Sequence, residues 1–583
     1  MLGSVQMIET RWKSYPRPQM RREGYAILNG IWKLNEQEIC VPFAPQSRLS
    51  GYKGPIEEHM TYEMQFTIPE DFHKPGILLH FGAVDQEAKV YVNDIFVGEH
   101  QGGYLPFYFH IEDVVKREVE NTLKVEVTDR LGTKYPYGKQ CKKRGGMWYT
   151  EISGIWQTVW LENVPNHYIE NLKITPDLEQ VEITVYRKDI QQSGLVYENT
   201  QGTEKGGCIN NKATDNAQGF TAIVRDGNGV AHEYSFNENT GVIKFDHPIH
   251  WTVDNPYLYD IQIKTAEDEV ESYFALRTIG IQEVNGIQRV CLNNKPIFMH
   301  GVLDQGYFED GIFLPFDEKE FERDILRMKE LGFNMLRKHI KIEPEIFYYE
   351  CDRLGMLVLQ DMVNNGKYSY LFDTILPTIG FKKKNDRRKP NHDMERKQIF
   401  EKHMVETLEH LYNHPCIIGY TIFNEGWGQF DSDRMYEVAK EQDCTRIYDS
   451  TSGWFAQKKS DMDSEHVYFR TIELHAKKRP MFLSECGGYT YLVDGHAFNP
   501  DKTYGYGSCK NSEELTDRIV NMYQAMVLPG ISGGVCGCVY TQLSDVEDEI
   551  NGMYTYDREI CKVNKEKMQA LSKTIYNQIS ELS

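Results

Sequence analysis

From about residue 281 the chain alternates short apolar runs with stretches of helical period, and this alternation constrains its fold more than any other feature. PIFMHGVL, FNMLRKHI, MLVLQDM, CIIGYTIFNE, RIYDSTSG, HVYF, MFLSEC and GVCGCVYTQLSD follow one another as eight strand candidates. Between them lie loops or amphipathic stretches such as FERDILRMKELG and PEIFYYECDRLG. Apolar runs with little internal alternation are what strands covered on both faces look like, and helices between them imply a parallel sheet. Eight such strands across 281–583 predict a (β/α)8 TIM barrel.

The residues before the barrel have another texture. LLHFGAVDQEAKVYVND (78–94) and NTLKVEVTD (121–129) alternate apolar and polar positions, with Gly98, Gly102 and Gly103 punctuating between them. Phe81, Val84, Val90 and Val92 are expected to face inward. Short strands with glycine turns predict a jelly-roll β-sandwich over 1–167. VEITVYRK, GFTAIVRDGNG and LYDIQIKTAEDEV repeat the pattern, so 168–280 is expected to be an immunoglobulin-like sandwich. The segment 194–218, rich in Gly, Asn and Thr, reads as a long exposed hairpin loop. The longest βα loop, 363–395, carries FKKKNDRRKP and reads as solvated.

Composition narrows the function classes. Lys and Arg number 65 against 86 Asp and Glu, a net charge of −21, which argues against nucleic acid or an anionic membrane as a partner. No apolar run approaches the ~18–20 residues of a membrane span, and the first residues contain no apolar core of a secretory signal. The twelve cysteines are scattered without a CxxC, and Cys536-Gly-Cys538 has the wrong spacing for zinc. They read as reduced, mostly buried thiols of a cytoplasmic protein. Tyrosine, at 36 residues, leads the aromatics and offers an apolar face with a hydroxyl. That suits a carbohydrate partner, although filling β-domain cores explains most of it.

Catalytic groups of such barrels sit at the C-terminal strand ends. Those ends supply Asp304, Arg337 with His339, Asp361, Asn424 with Glu425, Ser452, His466 with Tyr468, Glu485, and Gln542 with Asp545. Two glutamates close apolar strands, in TIFNE and MFLSE. A carboxylate there must be paired, solvated by a cleft, or functional. A rim salt bridge accounts for either glutamate alone. Two facing one cavity from strands four and seven form the pair used to cleave a glycosidic bond.

Longer motifs carry a resemblance. YPRPQMRREGYAILNGIWKL (15–34), VGEHQGGYLPFYFHI (97–111) and GGMWYTEISGIWQTVWLE (145–162) precede WTVDNPYLYDI (251–261) and YFALRTIGI (273–281). LGFNMLRKHIKIEP (331–344), NHPCIIGYTIFNEGWG (413–428), TRIYDSTSGW (445–454) and RPMFLSECGG (479–488) follow in the barrel. In order and spacing the chain resembles glycoside hydrolase family 2, the β-galactosidase, β-glucuronidase and β-mannosidase group, over essentially its whole length. The resemblance implies Glu425 as general acid/base, Glu485 as nucleophile, and net retention through a covalent glycosyl-enzyme. It places Asn424 on the sugar 2-hydroxyl and makes Arg337 and His339 orienting groups. The Arg-Lys-His spacing is one residue shorter than the β-galactosidase pattern. His466 and Tyr468 would face substrate, Trp427 and Trp454 would stack on it, and Asp304, Asp361 and Gln542 are further candidate contacts. No cofactor and no metal are implied.

The Asn-x-Lys with which β-glucuronidases of the family hold a uronate is absent. SDVEDEINGMYTYDRE (544–559) has Asn551 followed by Gly552 and Met553. The acidic run Glu547, Asp548 and Glu549 is expected to repel a carboxylate. A neutral sugar follows, β-galactoside first and an arabinoside next, with Asp304, Asp361 and Asp545 accepting from hydroxyls. A glucuronide is the alternative within the family. Two rivals from other classes are a non-catalytic carbohydrate-binding protein and a metal-dependent barrel hydrolase using His339, His466 and Asp361. No paired-histidine motif supports the metal reading. The chain ends shortly after the last barrel segment, so a homo-oligomer is expected to use jelly-roll or barrel faces.

Overall fold

A computed structural model of the chain describes residues 10–190, 219–378, 386 and 393–582. The loop read at 194–218 lies outside them, as does most of FKKKNDRRKP.

The eight apolar runs form parallel strands: β1 (Met299–Asp304), β2 (Met335–Lys338), β3 (Leu357–Asp361), β4 (Ile417–Asn424), β5 (Ile447–Ser452), β6 (Asp463–Val467), β7 (Met481–Gly487) and β8 (Val535–Thr541). Their neighbour order is β5-β4-β3-β2-β1-β8-β7-β6. β1 through β5 and β8 are buried along their whole length, as strands covered on both faces must be. At the seam between β5 and β6 the Ser464 hydroxyl reaches the Thr451 carbonyl at 3.2 Å. The barrel is therefore nearly closed, and its C-terminal strand ends converge on one mouth.

Helices α1 (Glu320–Glu330), α2 (Glu345–Leu354), α3 (Met394–His410), α4 (Ser432–Gln442), α5 (Ser512–Met522) and α6 (Lys565–Ser580) surround it. α1 buries Phe321, Asp324, Ile325 and Met328, the i, i+3, i+4, i+7 stripe of a helix laid on a sheet. α2 stops because Gly355 takes φ +70 and returns its N–H to the Cys351 carbonyl. α3 begins where the Asp393 side chain accepts from the Arg396 N–H.

Upstream, a four-stranded sheet (Tyr25–Ile27, Val159–Val164, Gly76–Phe81, Phe107–His110) packs on a six-stranded one running from Gln37–Val41 to Ile95–Gln101. Phe81, Val84, Val90 and Val92 lie in its core, where the alternation puts them. A second sandwich pairs a three-stranded with a four-stranded sheet between His167 and Phe274, around Ile174, Ile183, Ile261 and Phe274. No described helix is long and apolar enough to cross a membrane. The described cysteines are free thiols, most of them buried.

The second sandwich is pinned to the barrel through Asp352 on α2. Its carboxylate accepts from the Tyr273 hydroxyl (2.7 Å) and the Cys416 N–H (2.7 Å) and meets His414 Nδ1 at 2.7 Å. Its carbonyl accepts from the Trp251 indole at 2.8 Å. D352A strands three buried partners and should cost about 3 kcal/mol, read as a lowered urea midpoint for the barrel–sandwich transition. The first sandwich contributes loop 129–150 to the barrel mouth. There Tyr137 bonds the Asn364 and Gly366 carbonyls, Thr150 N–H donates to Glu547, and Arg144 pairs with Asp548 at 3.0 Å.

Candidate active site

Arg337 organises the mouth. It is fully buried, and each of its five N–H groups has an acceptor. Nε donates to Asp361 (3.0 Å), Nη1 to the Ser484 carbonyl (2.9 Å) and Glu485 (3.0 Å), and Nη2 to Asn424 Oδ1 (3.0 Å) and Ser452 Oγ (3.0 Å). Such a cation survives burial only when every donor is met and opposite charge is close. One side chain thus ties together the ends of β2, β3, β4, β5 and β7.

Glu485 receives this guanidinium on one oxygen and the Tyr468 hydroxyl on the other. Burial pushes its carboxyl up, but His466, Arg337, His339 and the Tyr468 hydroxyl together pull it down to about 2. It is therefore held as an anion. The Tyr468 ring stacks on Tyr506 with centroids 4.3 Å apart. Y468F removes one donor to the anion, so the acid limb of kcat/KM should move up by about one pH unit. A pH–rate profile checks this.

Glu425 follows β4 in a turn with φ +54, and its N–H reaches the Ser452 carbonyl. Its Oε1 meets His466 Nδ1 at 2.8 Å, while His466 Nε2 lies 3.6 Å from Glu485. The imidazole thus stands between the two carboxylates. It fits because residue 453 is glycine at φ +79; a Cβ there would lie 2.8 Å from His466 Cγ. One oxygen each of Glu425 and Glu485 and a nitrogen of His466 lie within 4.8 Å of one another, a set that could also ligate a cation. His339 and Asp361, grouped with His466 in the metal reading, bond each other instead, Nδ1 to Oδ2 at 2.6 Å. Burial, with Lys139 nearby, lowers the His339 pKa, while the bond to Asp361 raises it. Asn424 accepts on Oδ1 from Arg337 and Ser452, which leaves its amide N–H groups as donors.

Several expected substrate contacts are engaged within the protein. Asp304 gives its oxygens to Lys338 (2.7 Å) and the Gly306 N–H (2.9 Å). Asp361 gives one oxygen to Arg337 and the other to His339. Gln542 is fully buried behind Asn551, to which its Nε2 donates at 2.9 Å. Trp427 is 1% exposed, enclosed by Tyr137, Trp148 and Tyr368, with its indole on the Gly366 carbonyl at 2.9 Å. Trp454 packs edge-on against His466, 5.3 Å between centroids, with its indole on the Asp373 carbonyl. Neither indole offers a sugar an open face. Asp545 is paired with Lys562 at 2.6 Å. Cys486 packs against Cys538 and the Val539 carbonyl.

The acidic run is also engaged. Loop 129–150 fastens all three carboxylates, Glu547 through the Thr150 N–H, Asp548 through Arg144 and Glu549 through the Tyr149 hydroxyl, and Glu549 also accepts from Asn551 Nδ2 (2.9 Å). Asn551 in turn adjoins Gly488 and Tyr506 beyond β7. Tyr149, Glu549, Tyr506 and Lys139 were invisible to the strand-end rule because they lie on loops or on another domain. Ser452 was visible as a strand end, and its role is to hold Asn424 and Arg337.

Comparison with known proteins agrees with this architecture. Three family models match in order: "Glycosyl hydrolases family 2, sugar binding domain" over residues 51–165, "Glycosyl hydrolases family 2" over 167–277, and "Glycosyl hydrolases family 2, TIM barrel domain" over 283–481. A beta-galactosidase of Thermoanaerobacter pseudethanolicus is 27% identical over 399 residues, 66% of this chain and 47% of its own length. The chain thus spans about half the length of the curated relatives it matches. A beta-D-glucuronidase structure from Dictyoglomus thermophilum superposes with TM-score 0.71 at 19% identity, covering 96% of this chain and 98% of that one. A Ruminococcus gnavus beta-glucuronidase gives TM-score 0.73 at 17% identity over 97% and 100%. The sandwich–sandwich–barrel order and the three matches together show that the chain belongs to glycosyl hydrolases family 2.

Proposed function

We propose that the chain is a retaining, exo-acting β-glycosidase in which Glu485 is the nucleophile and Glu425 the acid/base. The observation that carries this is the approach of the two carboxylates: one oxygen of each lies within 4.8 Å of the other, which suits the roughly 5–5.5 Å between carboxyl groups in direct attack better than the roughly 6.5–9.5 Å an intervening water needs. Glu485, kept ionised by Arg337 and Tyr468, attacks the anomeric carbon while Glu425 protonates the departing oxygen. The same carboxylate then takes a proton from water as the glycosyl-enzyme is hydrolysed. His466, bonded to Glu425, orients it. Asn424, its carbonyl fixed by Arg337, donates to the sugar 2-hydroxyl.

For substrate we favour a terminal neutral sugar, β-galactoside first. The sequence relatives named beta-galactosidase support this, and so does the position after β8, where Glu549 and Asn551 stand beside the site. The fold neighbours named beta-glucuronidase keep a uronide as the second reading. A panel of nitrophenyl galactoside, glucuronide, glucoside, mannoside, arabinoside and fucoside tests it. The galactoside or another neutral sugar should lead; cleavage of the glucuronide alone would contradict it.

A further inference from the structure

Four lysines are buried among the described residues. Lys338 pairs with Asp304 and Glu343, Lys341 with Glu343, and Lys562 with Asp545. The fourth, Lys139, is 9% exposed, and its ammonium makes no hydrogen bond or ion pair among the described residues. A Trp148 ring centroid 5.7 Å away, at the outer reach of a cation–π contact, does not replace one. Lys139 thus keeps its three donors free of protein acceptors among the described residues, in a fold that pairs the other three buried lysines.

Its place in the fold gives the reason. Lys139 belongs to the first sandwich, and its carbonyl accepts the Tyr149 N–H at 3.1 Å, beside the short parallel pair Gln140–Cys141 and Tyr149–Thr150. The Tyr149 hydroxyl donates to Glu549, so the loop that carries Lys139 is fastened to the barrel at the carboxylate beside the site. The charge of Lys139 acts on both Glu549 and His339, the latter just past the end of β2. It touches neither. The Lys139 ammonium has no acceptor among the described residues, and the Glu549 carboxylate, holding one donor on each oxygen, can accept more.

We propose that Lys139 and Glu549 grip hydroxyls of the glycone together, so that the N-terminal sandwich supplies a specificity-determining residue and selects a neutral sugar. A hydroxyl accepts from an ammonium and donates to a carboxylate, which uses both groups at once. A uronate carboxylate would satisfy Lys139 but would face Glu549 and Glu485 with like charge. The inference rests on the glycosidase reading above and names the group that reads its sugar.

The test is K139M, close in shape but uncharged, assayed with the preferred nitrophenyl glycoside and its 3-, 4- and 6-deoxy analogues. On the parent sugar kcat/KM should fall about 30- to 100-fold, the value of a charged hydrogen bond. On the analogue lacking the gripped hydroxyl, wild type and K139M should agree within about threefold, which also shows that the variant is folded. E549Q should show the same pattern. An equal loss on every analogue, a parent rate within threefold of wild type, or a wild type that prefers a uronide with K139M abolishing that preference would each overturn it. Calorimetry of the free sugar keeps the two readings apart. A wild type that hydrolyses no glycoside refutes the glycosidase, whereas sugar binding weakened at least tenfold in K139M supports Lys139 in either case, and unchanged binding overturns it.

Discussion

E485A is expected to lower kcat by about 10,000-fold or more, because it removes the atom that forms the bond to the anomeric carbon. Arg337, Tyr468 and Glu425 stay in place, so the remaining cavity is a small cationic pocket beneath the sugar. Azide or formate entering it should restore part of the turnover of an activated aryl glycoside and give a product of inverted configuration. Activity within a few-fold of wild type would remove Glu485 from the mechanism.

E425A should behave differently. It loses a proton donor worth about 100- to 10,000-fold, with the size set by the leaving group. A nitrophenolate that departs without protonation should form the glycosyl-enzyme almost normally, and deglycosylation should then become slow because no base activates water. A burst of nitrophenol followed by a slow steady state is the expected signature. An alkyl glycoside should lose the full factor. A loss that ignores leaving-group basicity would contradict the acid/base assignment. H466N serves as a milder companion, since Glu425 is oriented by the His466 ring at 2.8 Å but not replaced by it.

The barrel was legible because its strands are apolar runs broken by helical stretches, a pattern that survives without knowledge of neighbours. The pair Glu425 and Glu485 was legible for a related reason: a carboxylate ending a buried strand has few bland explanations. Strand-end position does not say where a side chain points. Arg337 and Lys338 are consecutive on β2 and leave on opposite sides, as strand geometry demands. The first reaches Glu485 and the second reaches Asp304, which is why the Asp304 carboxylate is paired with Lys338 although it ends β1. Trp427 follows the same catalytic turn as Glu425, but its indole N–H finds the Gly366 carbonyl inside an aromatic cluster and its ring is enclosed. The acidic run after β8 read as one repelling patch. Contacts from a loop some 400 residues earlier in the chain neutralise Asp548 and tie up Glu547, and no local pattern encodes that. Lys139 was hidden for the same reason.

The central claim is that Glu485 becomes covalently glycosylated during turnover. A 2-deoxy-2-fluoro glycosyl fluoride of the preferred sugar slows hydrolysis of that intermediate more than its formation. Peptide mass spectrometry of the treated protein should then find one fluoroglycosyl unit on the peptide containing Glu485. E425A should accumulate the same adduct from an activated substrate, and E485A should carry none. An adduct on another residue, or an active enzyme that turns over its substrate with inversion and never forms one, would contradict the account.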